Sequence, residues 1–134
     1  MSADRNTFTK AERLSSKKAL EQLFEKGMSL SVNPVQIIWR LTEREYPFPA
    51  QMAVAVPKKN FKLAVTRNLL KRRIREAYRK NKNLIYDKLE GRGIRADLII
   101  IYKGLEIYDY QTIEKAVSDS LKKLANKVTS ERNS

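Results

Sequence analysis

The sequence predicts an α+β fold, an α/β sandwich in which helices pack on one small mixed sheet, in the order α-β-β-β-α-β-α. Three observations predict it. Residues Val35–Leu41 (VQIIWRL) set Val35, Ile37, Trp39 and Leu41 against Gln36, Ile38 and Arg40, the period-two pattern of a strand buried mainly on one side. Residues Asp97–Lys103 (DLIIIYK) form a continuous apolar run, typical of a central strand covered on both faces. Two longer segments, Val65–Lys82 and Tyr110–Val128, carry apolar residues at helical spacing. Elements of these kinds stack in layers around one core. A chain of 134 residues suits one domain, expected over residues 8–128, with flexible tails at 1–7 and 129–134.

Taken in order, Ser16 is a good N-cap and Gly27 suits the position past a helix end, which predicts a helix over Lys17–Lys26. Leu20, Leu23 and Phe24 share one face of it. Met28–Ser31 predicts a short edge strand. Val35–Leu41 and Gln51–Pro57 are the next two strands, and the intervening TEREYPFPA, with its two prolines, is a loop. These two strands are expected to pair as a hairpin. In the basic helix that follows, Leu70, Ile74, Ala77 and Tyr78 make the core stripe. Asn68, Lys71, Arg72, Arg75, Arg79 and Lys82 fall on the opposite side, with Arg73 and Lys80 flanking. Gly91–Gly93 predicts a turn before the apolar strand. Asp109 caps the last helix, whose stripe is Ile113, Ala116, Val117, Ser120, Leu121, Leu124 and Val128.

Charge is the strongest functional signal. The net charge is +13, and eleven basic residues against one acid lie between Lys58 and Lys82. The rest of the chain is nearly balanced. Like charges at i, i+4, such as Arg67/Lys71, Lys71/Arg75 and Arg75/Arg79, each cost roughly 0.2–0.5 kcal/mol in the free protein. Glu76 offsets part of this, with Arg72 and Lys80 four residues away on either side. Phosphates would more than reverse the cost, so the patch implies a polyanion partner and steeply salt-dependent binding. Unpaired N–H groups near Thr66–Leu69 at the helix start would add to the attraction.

Several classes are excluded. There is no histidine and no cysteine, hence no imidazole base and no thiol nucleophile. The acids are scattered, with no paired carboxylates beside the basic patch for a protein-bound metal. No apolar run approaches the ~20 residues of a membrane helix, and the N-terminus lacks the apolar centre of a secretory signal. A cytoplasmic protein that binds rather than cleaves is expected. At this level a ribosomal or assembly RNA-binding module, or a helix for a DNA major groove, would also satisfy the patch.

The segment VPKKNFKLAVTRNLLKRRIREAYR resembles the signature of the bacterial ribonuclease P protein component: V-x-K-K, about seven residues, then R-N-x-x-K-R-x-x-R-E. Lys58 and Lys59 match its first block; Arg67, Asn68, Lys71, Arg72, Arg75 and Glu76 match its second without a gap. Phe8, Arg13-Leu14, Phe24, Gly27 and DLIIIYK resemble other parts, so the likeness runs over about residues 8–125. The resemblance implies the small protein subunit of a ribonucleoprotein whose RNA performs the chemistry. That enzyme removes the 5′ leader of precursor tRNA by Mg²⁺-dependent hydrolysis. The Mg²⁺ would be held mainly by the RNA subunit and substrate, with no metal site and no catalytic residue in the protein. The partners implied are ribonuclease P RNA and precursor tRNA, with neither DNA nor a membrane.

The resemblance further implies a left-handed βαβ crossover around the basic helix, where physics alone favours a right-handed one. Lys58, Lys59, Arg67, Asn68, Lys71, Arg72, Arg75 and Arg79 would face the RNA subunit. Phe8, Arg13, Leu20, Phe24 and Trp39 would line a cleft for the single-stranded leader, where aromatic faces and cations alternate. Leu20 stands where members often carry Phe. Phe24 and Trp39 fit a packed core as well as they fit a stacking platform.

Overall fold

A computed structural model describes residues 8–43 and 46–132. The expected N-terminal tail lies outside the described residues. The first helix, α1, covers Lys17–Lys26, with Ser16 Oγ accepting from the Ala19 N–H at 3.2 Å. Gly27 ends it in extended backbone, φ −72°. Glycine is required there by closeness rather than by a left-handed turn. A Cβ would sit 2.4 Å from the Leu23 carbonyl oxygen and 2.7 Å from Ile38 Cγ2.

The strands are β1 (Met28–Val32), β2 (Val35–Thr42), β3 (Ala50–Ala55) and β4 (Arg95–Tyr102), in the spatial order β1-β2-β4-β3. The hairpin expected between β2 and β3 does not form. β2 pairs antiparallel with β1 on one side and with β4 on the other, while β3 pairs parallel with the far edge of β4. The reason lies in β4: its apolar run must be interior to be covered on both faces. The tight Asn33–Pro34 connection commits β2 to β1, and the long loop after β2 carries the chain across β4.

From β3 the chain returns to β4 through α2 (Ala64–Asn81) and α3 (Asn83–Arg92). The second of these is additional to the predicted order. The expected turn at Gly91–Gly93 is in part helix: α3 runs through Gly91 and ends at Gly93, φ 67°, whose N–H donates to the Glu90 carbonyl. Ile85, Tyr86 and Leu89 anchor α3 in the core. The last helix, α4, spans Tyr110–Arg132 and so runs on into the stretch expected as a tail. Asp109 Oδ1 accepts from the Thr112 N–H at 2.9 Å, and hydrogen bonding from the Thr112 side chain first and its backbone next holds the Asp109 carboxyl below its usual range.

β4 divides the core. Ile99 and Ile101 face α1 and meet Leu14, Ala19 and Leu23. Leu98, Ile100 and Tyr102 face the other way, into the larger core built with α2, α3 and α4. The predicted stripes of α2 (Leu70, Ile74, Ala77, Tyr78) and α4 (Ile113 through Val128) are buried there.

Candidate nucleic-acid interface

The helix α2 keeps its apolar stripe inward and therefore turns its cations outward. Lys58, Lys59, Asn68 and Arg72 are exposed, and Lys71, Arg75 and Arg79 are half-buried. Arg67 is half-buried for a specific reason. Its Nη1 donates to the carbonyls of Phe61 (2.8 Å) and Lys62 (2.9 Å), tying the β3–α2 loop to the helix. A guanidinium carries three further N–H donors beyond that nitrogen. Lys62, exposed on the same loop, extends the basic surface, and its place among the clustered cations of 58–82 was the available signal.

The first helical turn lies earlier than the sequence implies. The cap is Leu63, which offers no side-chain acceptor, and the Arg67 N–H already donates to the Leu63 carbonyl at 3.2 Å. The N–H groups without intrahelical acceptors are thus those of Ala64–Thr66.

Besides Arg67, three further cations of the segment are spoken for. Glu76 pairs with Arg79 rather than with Arg72 or Lys80: Arg79 donates through Nε (2.9 Å) and Nη2 (2.8 Å) to its two oxygens. This bond lowers the Glu76 pKa and raises that of Arg79. Arg73 donates to the Tyr108 carbonyl at 2.5 Å, joining α2 to the segment before α4. Lys82, expected on the outer face, is fully buried. The chain steps from α2 to α3 at this residue, and the step turns its side chain inward onto Glu12 at 2.5 Å.

The residues expected to line one cleft fall in three places. Leu20 is half-buried on the α1 side of the sheet, near Ile38, Ala53 and Ala55, and Phe24 on the same helix is 59% exposed. Phe8 and Arg13 lie near α2 instead: the Phe8 ring meets Tyr78 edge-on at 5.6 Å, and Arg13 Cζ sits 5.6 Å from the Phe8 ring centroid. Trp39 is 1% exposed, enclosed in the larger core, because its place in the strand alternation points it at the helices. It presents no face to a bound strand. Burial, and next the nearby charge of Arg13, lower the Arg75 pKa. Chemically, this surface offers N–H donors, positive charge and a few aromatic or apolar faces. Among the described residues no three acids or other ligating side chains converge as a metal site.

Known proteins share this fold. The family profile described as Ribonuclease P matches residues 8–125. The ribonuclease P protein component of Porphyromonas gingivalis is 37% identical over 122 residues, covering 91% of this chain and 89% of that protein. The one from Petrotoga mobilis is 38% identical over 119 residues, covering 88% of this chain and 95% of its own. Among solved structures, the RNase P protein of Staphylococcus aureus superposes with a TM-score of 0.69 at 22% identity, covering 86% of this chain and 96% of that one. The protein from Thermotoga maritima gives 0.67 at 25% identity, covering 84% and 96%. With the R-N-x-x-K-R-x-x-R-E spacing now seen on the outer side of a helix between two parallel strands, the chain belongs to the ribonuclease P protein component family, the protein subunits of a ribonucleoprotein endoribonuclease.

Proposed function

We propose that the chain binds ribonuclease P RNA through the outer face of α2 and the 5′ leader of precursor tRNA through surfaces near α1 and β3, supporting Mg²⁺-dependent removal of the leader. The observation that carries this reading is the segregation on α2: a buried apolar stripe on one side and Asn68, Lys71, Arg72 and Arg75 on the other. Each guanidinium can grip a phosphate through two parallel N–H donors, and neutralised phosphates release counterions. The chain's own contribution is to hold and orient two RNAs. The Mg²⁺ belongs to the RNA subunit and substrate in this reading, since the protein's carboxylates are dispersed. The work would take place in the cytoplasm; no helix of the described residues is long and apolar enough to cross a membrane.

The test is leader cleavage by a bacterial ribonuclease P RNA at low Mg²⁺, with and without the protein. The wild-type chain should raise the rate. Reversing Lys71, Arg72 and Arg75 to Glu should weaken RNA binding at least ~10-fold and remove the gain while the helix content stays. Arg67 is left alone because it ties the preceding loop. No gain with the wild-type chain, or full gain with the triple variant, would overturn the assignment.

A further inference from the structure

The stretch before α1 is held from two sides. Lys10–Glu12 form a single 3₁₀ turn capped by Thr9. The Glu12 side chain is fully buried and both its oxygens are engaged. One accepts from the Thr9 N–H (2.9 Å) and hydroxyl (3.1 Å). The other accepts from Lys82 Nζ (2.5 Å) and from the Tyr86 hydroxyl. On the opposite side of the segment, the Leu14 N–H donates to the Met52 carbonyl at 3.1 Å, and the Gln51 amide donates to the Ala11 carbonyl at 2.9 Å. The segment is therefore pinned at once to the outer strand β3 and to the junction of α2 and α3.

What this pinning presents is Arg13. It is exposed, lies over the Phe8 ring, and Phe8 in turn packs on Tyr78, one helical turn beyond Arg75. Arg75 feels the charge of Arg13, which after burial lowers its pKa, so the two cations repel in the free protein, and a buried ion pair is seldom a source of net stability. Both costs make sense if an anion completes the arrangement.

We propose that Glu12 and Lys82 are positioning residues: by clamping the segment to the end of α2 they set Arg13 beside Arg75, so that the two guanidiniums grip one phosphate of a single-stranded RNA. This rests on the RNA-binding reading above. It joins the surface carried by the segment before α1 to the surface carried by α2.

The experiment measures binding of the full chain to a fluorescein-labelled oligouridine decamer across a KCl series, alongside thermal melting. Arg13→Gln and Arg75→Gln, singly and together, should be non-additive, departing from the product of the single losses by ~3-fold or more, as groups sharing a partner do. In Glu12→Ala/Lys82→Met, where Met fills the lysine's space without leaving a lone buried charge, that coupling should vanish. The log–log salt slope should also shrink by about 0.7, one phosphate's share on a single strand. Glu12→Gln/Lys82→Met, which keeps an acceptor for Thr9 and turns its amide N–H to the Tyr86 oxygen while the Tyr86 hydroxyl donates to the Ala50 carbonyl, should restore both. Additive Arg13 and Arg75 effects in an RNA-binding wild-type chain would overturn the shared phosphate alone. An unchanged slope and coupling in the folded Ala/Met variant would reduce Glu12 to a structural residue. A wild-type chain that does not bind the decamer would overturn this proposal, while the leader-cleavage assay decides the RNA-binding reading separately.

Discussion

At the scale of single residues, the most consequential group is Lys82, a cation that by helical angle belongs outside and by structure lies fully inside. Its ammonium meets Glu12 with Tyr86 as a second donor to the same oxygen. Burial, the largest cause, raises the Tyr86 pKa, with the neighbouring Tyr78 and Glu12 adding to it, so Tyr86 stays a neutral donor. Removing one member of a buried pair strands the other. Lys82→Met or Glu12→Gln alone should therefore cost about 3–5 kcal/mol in urea unfolding, whereas Glu12→Gln/Lys82→Met together should lie within about 1 kcal/mol of wild type. Equal losses in the single and double variants would show that the charges themselves are not what matters.

At the scale of elements, two glycines in helical surroundings have opposite meanings. Gly27 closes α1 where its backbone comes against the Leu23 carbonyl and Ile38. Gly27→Ala should destabilise by about 1–3 kcal/mol, the usual cost of overpacking. Gly91 lies within α3 with open space where a Cβ would go. Gly91→Ala should stabilise by about 0.5–1 kcal/mol by restricting the unfolded chain and favouring helix. Thermal melting of the two variants reads both signs. The difference also explains why α3 escaped the sequence reading. Two glycines in GRG suggest a turn, yet only Gly93 adopts the left-handed backbone that needs one. Ile85 and Leu89, four apart with Tyr86 beside them, were the signal for the helix.

At the scale of the whole molecule, placement of charge should matter more than its sum. Reversing the exposed α4 lysines Lys122, Lys123 and Lys127 removes as much charge as reversing Lys71, Arg72 and Arg75. The first variant should change RNA affinity by less than ~3-fold, a long-range effect screened by salt, and the second by at least ~10-fold. Titrating both against the same ribonuclease P RNA at one salt concentration decides this. The placement on α2 was legible because a helix with one apolar stripe must turn its other residues out: Leu70, Ile74, Ala77 and Tyr78 fix where Lys71, Arg72 and Arg75 go. Strand partners were not legible, since alternation in Val35–Leu41 says which residues face the core and nothing about which strand lies alongside. Lys82 was hidden because its direction depends on a break between helices, and Trp39 because alternation alone does not say which face of a sheet lies open. The seal on β3 has one more effect. A bare outer strand is a template for any other extended chain. Here residues Ala11–Leu14, held by the Arg13–Met52 bridge and the Leu14 bond, occupy that edge. The short stretch ahead of α1 is thus also a guard on solubility: pulled away, it would leave β3 open to strand-to-strand stacking between copies of the protein.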